Sequence, residues 1–230
     1  MADHVLRFDI EKAARLWQRI LRTDTDRLFG KVYNARLLHR VESDIEIDIA
    51  QPGYVGLAYS GLVFLSMNPG NGSSNGLGEE DKRQYKALRQ LRNAGPGHVT
   101  QVFQELNNIL FEITPTWRIY KMLVRPILSP AGWDLSQIAY LTLLQWRTSK
   151  SSGLNRLYRI CWNAHTREQL DLLKPKIIVV LGKGAWRTLH RYDYPADSRC
   201  IPRCIGDRRV SPEGKKAIET VCESLKAMRQ

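Results

Sequence analysis

Apolar positions along the chain follow two periods, one helical and one of short continuous runs. From Ile10 to about Leu21, Ala13, Ala14, Leu16, Trp17, Ile20 and Leu21 recur at helical spacing, and Phe29, Val32, Ala35, Leu37 and Leu38 predict a second helix. An acidic run over residues 42–48, followed by Gln51, Pro52 and Gly53, reads as a linker or edge segment leading to a sheet. Residues 62–67 are too few and too continuously apolar for an amphipathic helix, so they predict a buried strand. Pro69 ends it and holds Asn68 in an extended conformation.

Beyond a small polar loop, Glu79, Glu80 and Asp81 form the acidic first turn of a helix lined by Tyr85, Leu88 and Leu91, which stops at residues 93–95. Val99, Val102, Phe103, Leu106 and Leu110 mark the next helix. A basic and aromatic one follows over residues 116–125, its Trp117 read as a core residue on a solvated helix. Residues 138–144 predict a second strand opening into a polar basic loop over 145–153. Residues 154–173 form a long helix that Pro175 ends, and residues 176–181 predict a third strand of parallel-sheet character. Gly182, Lys183 and Gly184 turn into a helix over 185–190, and a fourth strand falls at 199–205. Ser211 and Pro212 supply the N-cap and first residue of the last helix.

Short apolar strands separated by helices predict an α/β protein: three α/β/α layers around a central, mainly parallel four-stranded sheet, preceded by N-terminal helices. The expected division is a helical segment over 1–50 and an α/β domain over 51–230, joined in one compact unit.

Charge adds a partner class to this picture. The 230 residues carry 35 Lys/Arg against 23 Asp/Glu, a formal +12, and the stretch from Arg147 to Lys215 holds 15 basic and 6 acidic side chains. A phosphate backbone is the partner that such a bias attracts, with a solubility feature or an anionic membrane surface as the other readings. No apolar stretch approaches a membrane span, and the N-terminus lacks a basic and apolar leader, so the expected location is cytoplasmic. Cys161, Cys200, Cys204 and Cys222 have 38, 3 and 17 residues between them, which fits no zinc template; free thiols and no metal are expected.

Candidate chemistry centres on residues 66–76. Asn68 sits at the carboxyl end of a predicted strand, where open α/β sheets collect ligands, and Gly70 and Gly72 let backbone approach a ligand closely. Asn-Pro-Gly is also ordinary turn chemistry. The Gly182-Lys183-Gly184 turn lacks the spacing of a P-loop or dinucleotide fingerprint and is read as a turn touching nucleic-acid backbone.

From about Gly61 onward the chain resembles the uracil-DNA glycosylase superfamily. Ser66, Met67, Asn68, Pro69 and Gly70, with Ser73 and Ser74 after them, are similar to the Gly-hydrophobic-Asn-Pro-Gly loop of the mismatch-specific uracil and thymine glycosylase branch. Residues 170–185 resemble the helix, Lys-Pro, strand and Leu-Gly-Lys-x-Ala segment of that superfamily, and Tyr140, Leu141 and Thr142 fall where relatives have Tyr-Ile-Thr-Asn. Leu143 stands where the relatives' Asn reads the base edge. Residues 201–209 replace their His-Pro-Ser or Asn-Pro-Ser motif.

The resemblance implies a cofactor-free DNA glycosylase acting on uracil or another deaminated base, with a catalytically weak or silent nucleic-acid-binding module on the same fold as the alternative. Asn68 is then the catalytic residue that positions water. Ser66, Met67, Pro69, Gly70, Leu143 and Arg203 are placed in the base pocket. Gly72, Ser73, Ser74, Arg147, Lys150, Lys183, Arg208 and Arg209 are placed on DNA. Arginines at 203, 208 and 209 read first as a phosphate clamp, Arg203 also as a donor to the departing base. His165 and His190 lie in predicted helices and are read as surface or core residues.

Overall fold

The computed structural model describes residues 8–34, 37, 41–42, 45–46, 49–69, 78–148, 153–202, 205–206 and 209–228. Two helices open the chain, α1 (Ile10–Leu21) and α2 (Thr25–Asn34), followed by two short pairs of strand residues, β1 (Val41–Glu42) and β2 (Ile45–Glu46). Strands β3 (Gly53–Val55) and β4 (Leu62–Ser66) lead to helices α3 (Glu79–Asn93) and α4 (Val99–Ile113). Helix α5 (Arg125–Leu128) precedes β5 (Ile138–Thr142), and α6 (Asn155–Cys161) and α7 (Arg167–Leu173) precede β6 (Ile177–Leu181). Helix α8 (Lys183–Arg191), β7 (Asp197–Ile201), a hairpin of β8 (Ile205–Gly206) and β9 (Arg209–Val210), and helix α9 (Pro212–Ala227) complete it.

The main sheet has five strands in the order β3-β5-β4-β6-β7, with helices on both sides. β5, β4, β6 and β7 are parallel, and β3 is antiparallel to β5. Every residue of β4, β5 and β6 is buried, as strands covered on both faces require. Register aligns Ser66, Thr142, Leu181 and Ile201 in one row at the carboxyl ends.

The four parallel strands agree with the sequence reading, and the fifth was not expected. Residues 51–53 read as a linker or edge segment, and Gly53 indeed begins the edge strand β3. A Cβ there would lie 1.9 Å from the Tyr140 carbonyl oxygen, and φ is +92°, so only glycine fits this close approach. The second helix runs over Thr25–Asn34 rather than 29–38. Gly30 breaks it at φ 67°, and Leu37 instead bridges Thr148 in an antiparallel pair. The fourth parallel strand is Asp197–Ile201, ending before Pro202.

Residues 116–125 do not form one regular helix. A 3₁₀ turn covers Thr114–Thr116, Trp117 is extended, and a wide i→i+5 turn over Tyr120–Val124 enters α5. Pro126 in the following turn has no N–H to donate and crowds the carbonyl four residues back, which a regular α-helix does not accommodate. A second wide turn, Trp162–Thr166, joins α6 to α7, so the long helix expected over 154–173 is continuous but bulged.

The N-terminal helix belongs to the same core as the sheet. Helix α1 has Asp9 as its N-cap, accepting from the Lys12 amide at 3.0 Å, and buries Ala13, Ala14, Leu16, Trp17, Ile20 and Leu21 against α3 and α4. Trp17 packs edge-on to Phe103, and its Nε1 donates to the Gly53 carbonyl at 2.8 Å. Gln18 Nε2 donates to the carbonyls of Leu91 and Ala94, closing the end of α3.

Two outcomes follow from this packing. Trp17→Ala is expected to lower unfolding free energy by about 3–5 kcal/mol in urea titrations followed by circular dichroism, with a single transition retained. His165 is the second probe: burial first, and then the charge of Arg19, hold its imidazole down to about 4. An unfolded imidazole titrates near ~6.5, so on acidification the unfolded state takes the proton first; stability is full above that value and falls as pH drops toward the folded value. Between about pH 7.5 and about pH 5 the wild type should lose on the order of 2 kcal/mol more than His165→Gln.

Candidate functional site

The carboxyl ends of β4 and β5 stay paired past the strands themselves. Leu143 N donates to Ser66 O at 2.9 Å and Leu144 N to Met67 O at 2.9 Å. Residues 145–148 therefore run out over the rim of the sheet beside Asn68. The Asn68 Nδ2 donates to Thr148 Oγ1 at 3.3 Å and to Pro69 O at 3.1 Å. A carbonyl oxygen only accepts, so the edge facing Pro69 must be the NH₂. The carboxamide oxygen is thereby the acceptor end of the side chain.

Asn68 borders a cleft of about 580 Å³, within the size range of small-ligand sites. Its floor carries Ser66, Thr142 and Gly53, and one wall is the first turns of α3 through Glu80, Asp81 and Gln84. Trp117, Arg118 and Ile119 line it as well, with Trp117 edge-on to Tyr140 at 5.7 Å. Gln51 and Arg147 complete the polar lining.

These polar groups form a connected network. Thr142 Oγ1 donates to Gln51 O at 2.6 Å, Gln51 Nε2 to the Tyr85 hydroxyl at 2.7 Å, and Gln84 Nε2 to Gln51 Oε1 at 3.3 Å. Arg147 Nη2 pairs with Asp81 Oδ1 at 3.2 Å, and its guanidinium carbon lies 5.4 Å from the Tyr85 ring centre. Burial pushes the Tyr85 phenol up to about 12, against the opposing pull of Arg147. Tyr85 therefore stays protonated at neutral pH.

The sequence-predicted site residues divide into three groups. Ser66, Asn68, Pro69 and Arg147 meet at the cleft. Arg147 is a correction: its side chain is 5% exposed and paired with Asp81, so it is no surface phosphate contact. Leu143 is a second correction, because it is fully buried and does not line the cleft. Gln145, on the same rim, turns inward too: Nε2 donates to Thr142 O at 2.9 Å and Thr166 Oγ1 at 3.0 Å.

Met67 points away from the cleft, toward β6. A Cβ on Gly182, whose φ is +117°, would lie 3.1 Å from the Met67 sulfur, and one on Gly184 would lie 3.3 Å from it. The two glycines of that turn thus make room for a thioether. Lys183 is exposed beside Glu213 at 3.6 Å and is not part of the cleft. Arg209 is described only through its backbone in β9. Gly70, Gly72, Ser73, Ser74, Lys150, Arg203 and Arg208 lie outside the described residues.

Sequence reasoning assigned no site role to Trp117, Gln84, Gln51 or Asp81. Trp117 was read as core, and Asp81 as a helix-start charge, which it also is. The available signal was a Trp preceded by Pro115, in a stretch whose helical pattern is interrupted again by Pro126.

Among the described residues no group of His, Cys, Asp and Glu side chains could hold a metal ion, and no helix is long and apolar enough to cross a membrane. Cys161, Cys200 and Cys222 are free thiols. Neither a protein-family model nor a curated protein matches the chain.

Tyr85→Phe should expose how tightly the network is balanced. Losing the hydroxyl leaves the buried Gln51 Nε2 without its acceptor, an expected cost of about 1–3 kcal/mol in chemical denaturation.

Proposed function

We propose that the protein is a uracil-DNA-glycosylase-like enzyme that hydrolyses the N-glycosidic bond of a deaminated base in DNA. The base, flipped out of the strand, enters the cleft beside Asn68. What carries this reading is the placement of Asn68: it stands at the carboxyl end of a central parallel strand, oriented by Thr148 and Pro69, on a cleft that also carries the ring of Trp117. The motif resemblance over residues 66–70 and 170–185 supports the same fold family, and the basic excess supports a polyanionic partner.

The chemistry follows from what the bond cleavage needs. As the bond breaks, positive charge develops on the sugar and negative charge on the base, and one water must be aimed at the anomeric carbon. The Asn68 carboxamide oxygen accepts a hydrogen bond from that water and orients it. Being neutral, it removes the water's proton poorly, so turnover is slow. Trp117 supplies an aromatic face for the base, and Arg118 stands on the same stretch of the rim.

The second reading is a nucleic-acid-binding module on the same fold that recognises a damaged base without releasing it. It is favoured by Leu143, which is buried at the position where the relatives' Asn reads the base edge.

Single- and double-stranded oligonucleotides carrying uracil, hypoxanthine, xanthine or mismatched thymine, incubated with protein and cleaved with alkali, decide between the two. The enzyme reading expects slow release of at least one base, and Asn68→Ala should reduce the rate at least about tenfold, a barrier increase of about 1.4 kcal/mol. Binding without release across the whole panel would leave the second reading standing.

A further inference from the structure

Arg147 is the one cleft residue whose state is unexplained by packing. Its side chain is 95% buried, since only 5% remains exposed, while its partner Asp81 is 28% exposed. Nη2 pairs with Asp81. Among the described residues Nε and Nη1 are buried with no hydrogen-bond partner. A buried guanidinium with two unmatched donors is expensive in free energy, and such a cost asks for a partner or a role that offsets it. The same residue lines the cleft that holds Asn68.

Its position is fixed by the chain on both sides. Thr148, the next residue, is the hydrogen-bond partner of Asn68 and bridges Leu37. Tyr85 lies under the guanidinium, and Asp81 anchors it in the first turn of α3. Neighbouring residues of one segment therefore hold the two halves of the site, Thr148 the water-positioning amide and Arg147 the cation.

We propose that Arg147 binds the carbonyl oxygens of an oxygen-bearing base and stabilises the negative charge it acquires on departure. The inference rests on the glycosylase reading for its chemical step. As the C1′–N bond breaks, its electron pair passes to the base and spreads onto its carbonyl oxygens, where the Arg147 guanidinium donates. Water adds to C1′, its proton goes to solvent, and the base anion takes up a proton from solvent after release. An arginine donates and never accepts, so the cleft selects uracil, hypoxanthine and xanthine over cytosine and adenine, whose exocyclic NH₂ groups would face donor with donor. Arg147 thus occupies the role of a leaving-group stabiliser from the loop after β5.

Two measurements test it. The first is single-turnover release of uracil and of 5-fluorouracil from the same oligonucleotide, by wild type, Arg147→Met and Arg147→Lys. Ring fluorine makes the departing base more acidic, so it needs less help. Arg147→Met should slow uracil release by roughly a hundredfold and 5-fluorouracil release by far less, with Arg147→Lys in between. Equal slowing of both substrates, or none, would overturn the assignment, because a merely structural arginine has no reason to sense the leaving group. The second is binding of free uracil and xanthine against cytosine and adenine, followed by tryptophan fluorescence, which needs no catalysis. Wild type should prefer the oxygen-bearing pair and both variants should weaken that preference, with melting curves confirming that they fold. Preference without any base release would sink the hydrolytic reading and with it the charge-stabilising step, and would keep Arg147 as the group that binds the base. No preference in wild type, or a preference unchanged in Arg147→Met, would sink this one.

Discussion

Everything at the rim depends on the β4–β5 pairing continuing beyond the two strands. Because Leu143 and Leu144 still donate to Ser66 and Met67, the segment after β5 cannot leave the sheet until it has passed Asn68. It then has to cross the rim, and in doing so it delivers Arg147 and Thr148 to the same cleft. Gln145 secures the crossing from below through Thr142 and Thr166, and the wide turn over Trp162–Thr166 is what sets Thr166 against the Leu143 carbonyl at 3.0 Å. A few backbone hydrogen bonds thus convert a sheet edge into a site with an amide, a cation and a carboxylate.

The network on that site is balanced in an uneven way. Thr142, Gln51, Gln84 and Tyr85 satisfy one another, whereas Arg147 remains short of partners. Fully matched buried networks stiffen a structure, and partly matched ones are held in place by their surroundings. Here the surroundings are the first turns of α3, tied to α4 by the Arg83–Glu112 pair at 2.6 Å.

The central strands and most helices were legible because their signals are local. Continuous apolar runs at 62–66, 138–142 and 177–181 announce buried parallel strands, and Ser211-Pro212 announces a helix start that the structure caps with the Ser211 hydroxyl on the Gly214 amide at 3.0 Å. Strand β3 was legible only as a linker or edge segment since three residues carry no period, and its place depends on a glycine pressed against Tyr140. Asn68 was readable as a strand-end residue. Arg147 was not readable as a buried one, because the Asp81 and Tyr85 that enclose it lie more than sixty positions earlier and composition alone makes it look like one basic loop residue among several.

Met67 gives the architecture its asymmetry. In a sheet of this strand order the crevice between β4 and β6 is the natural gathering place for ligands, and here the protein's own thioether fills it against Gly182 and Gly184. The open space is shifted one strand over, toward the antiparallel edge, where Gly53 forms part of the floor. That glycine's carbonyl is held by the indole of Trp17. The first helix of the chain is consequently a buttress of the cleft rather than an appendage, and any loosening of it is transmitted to the floor of the site through a single hydrogen bond.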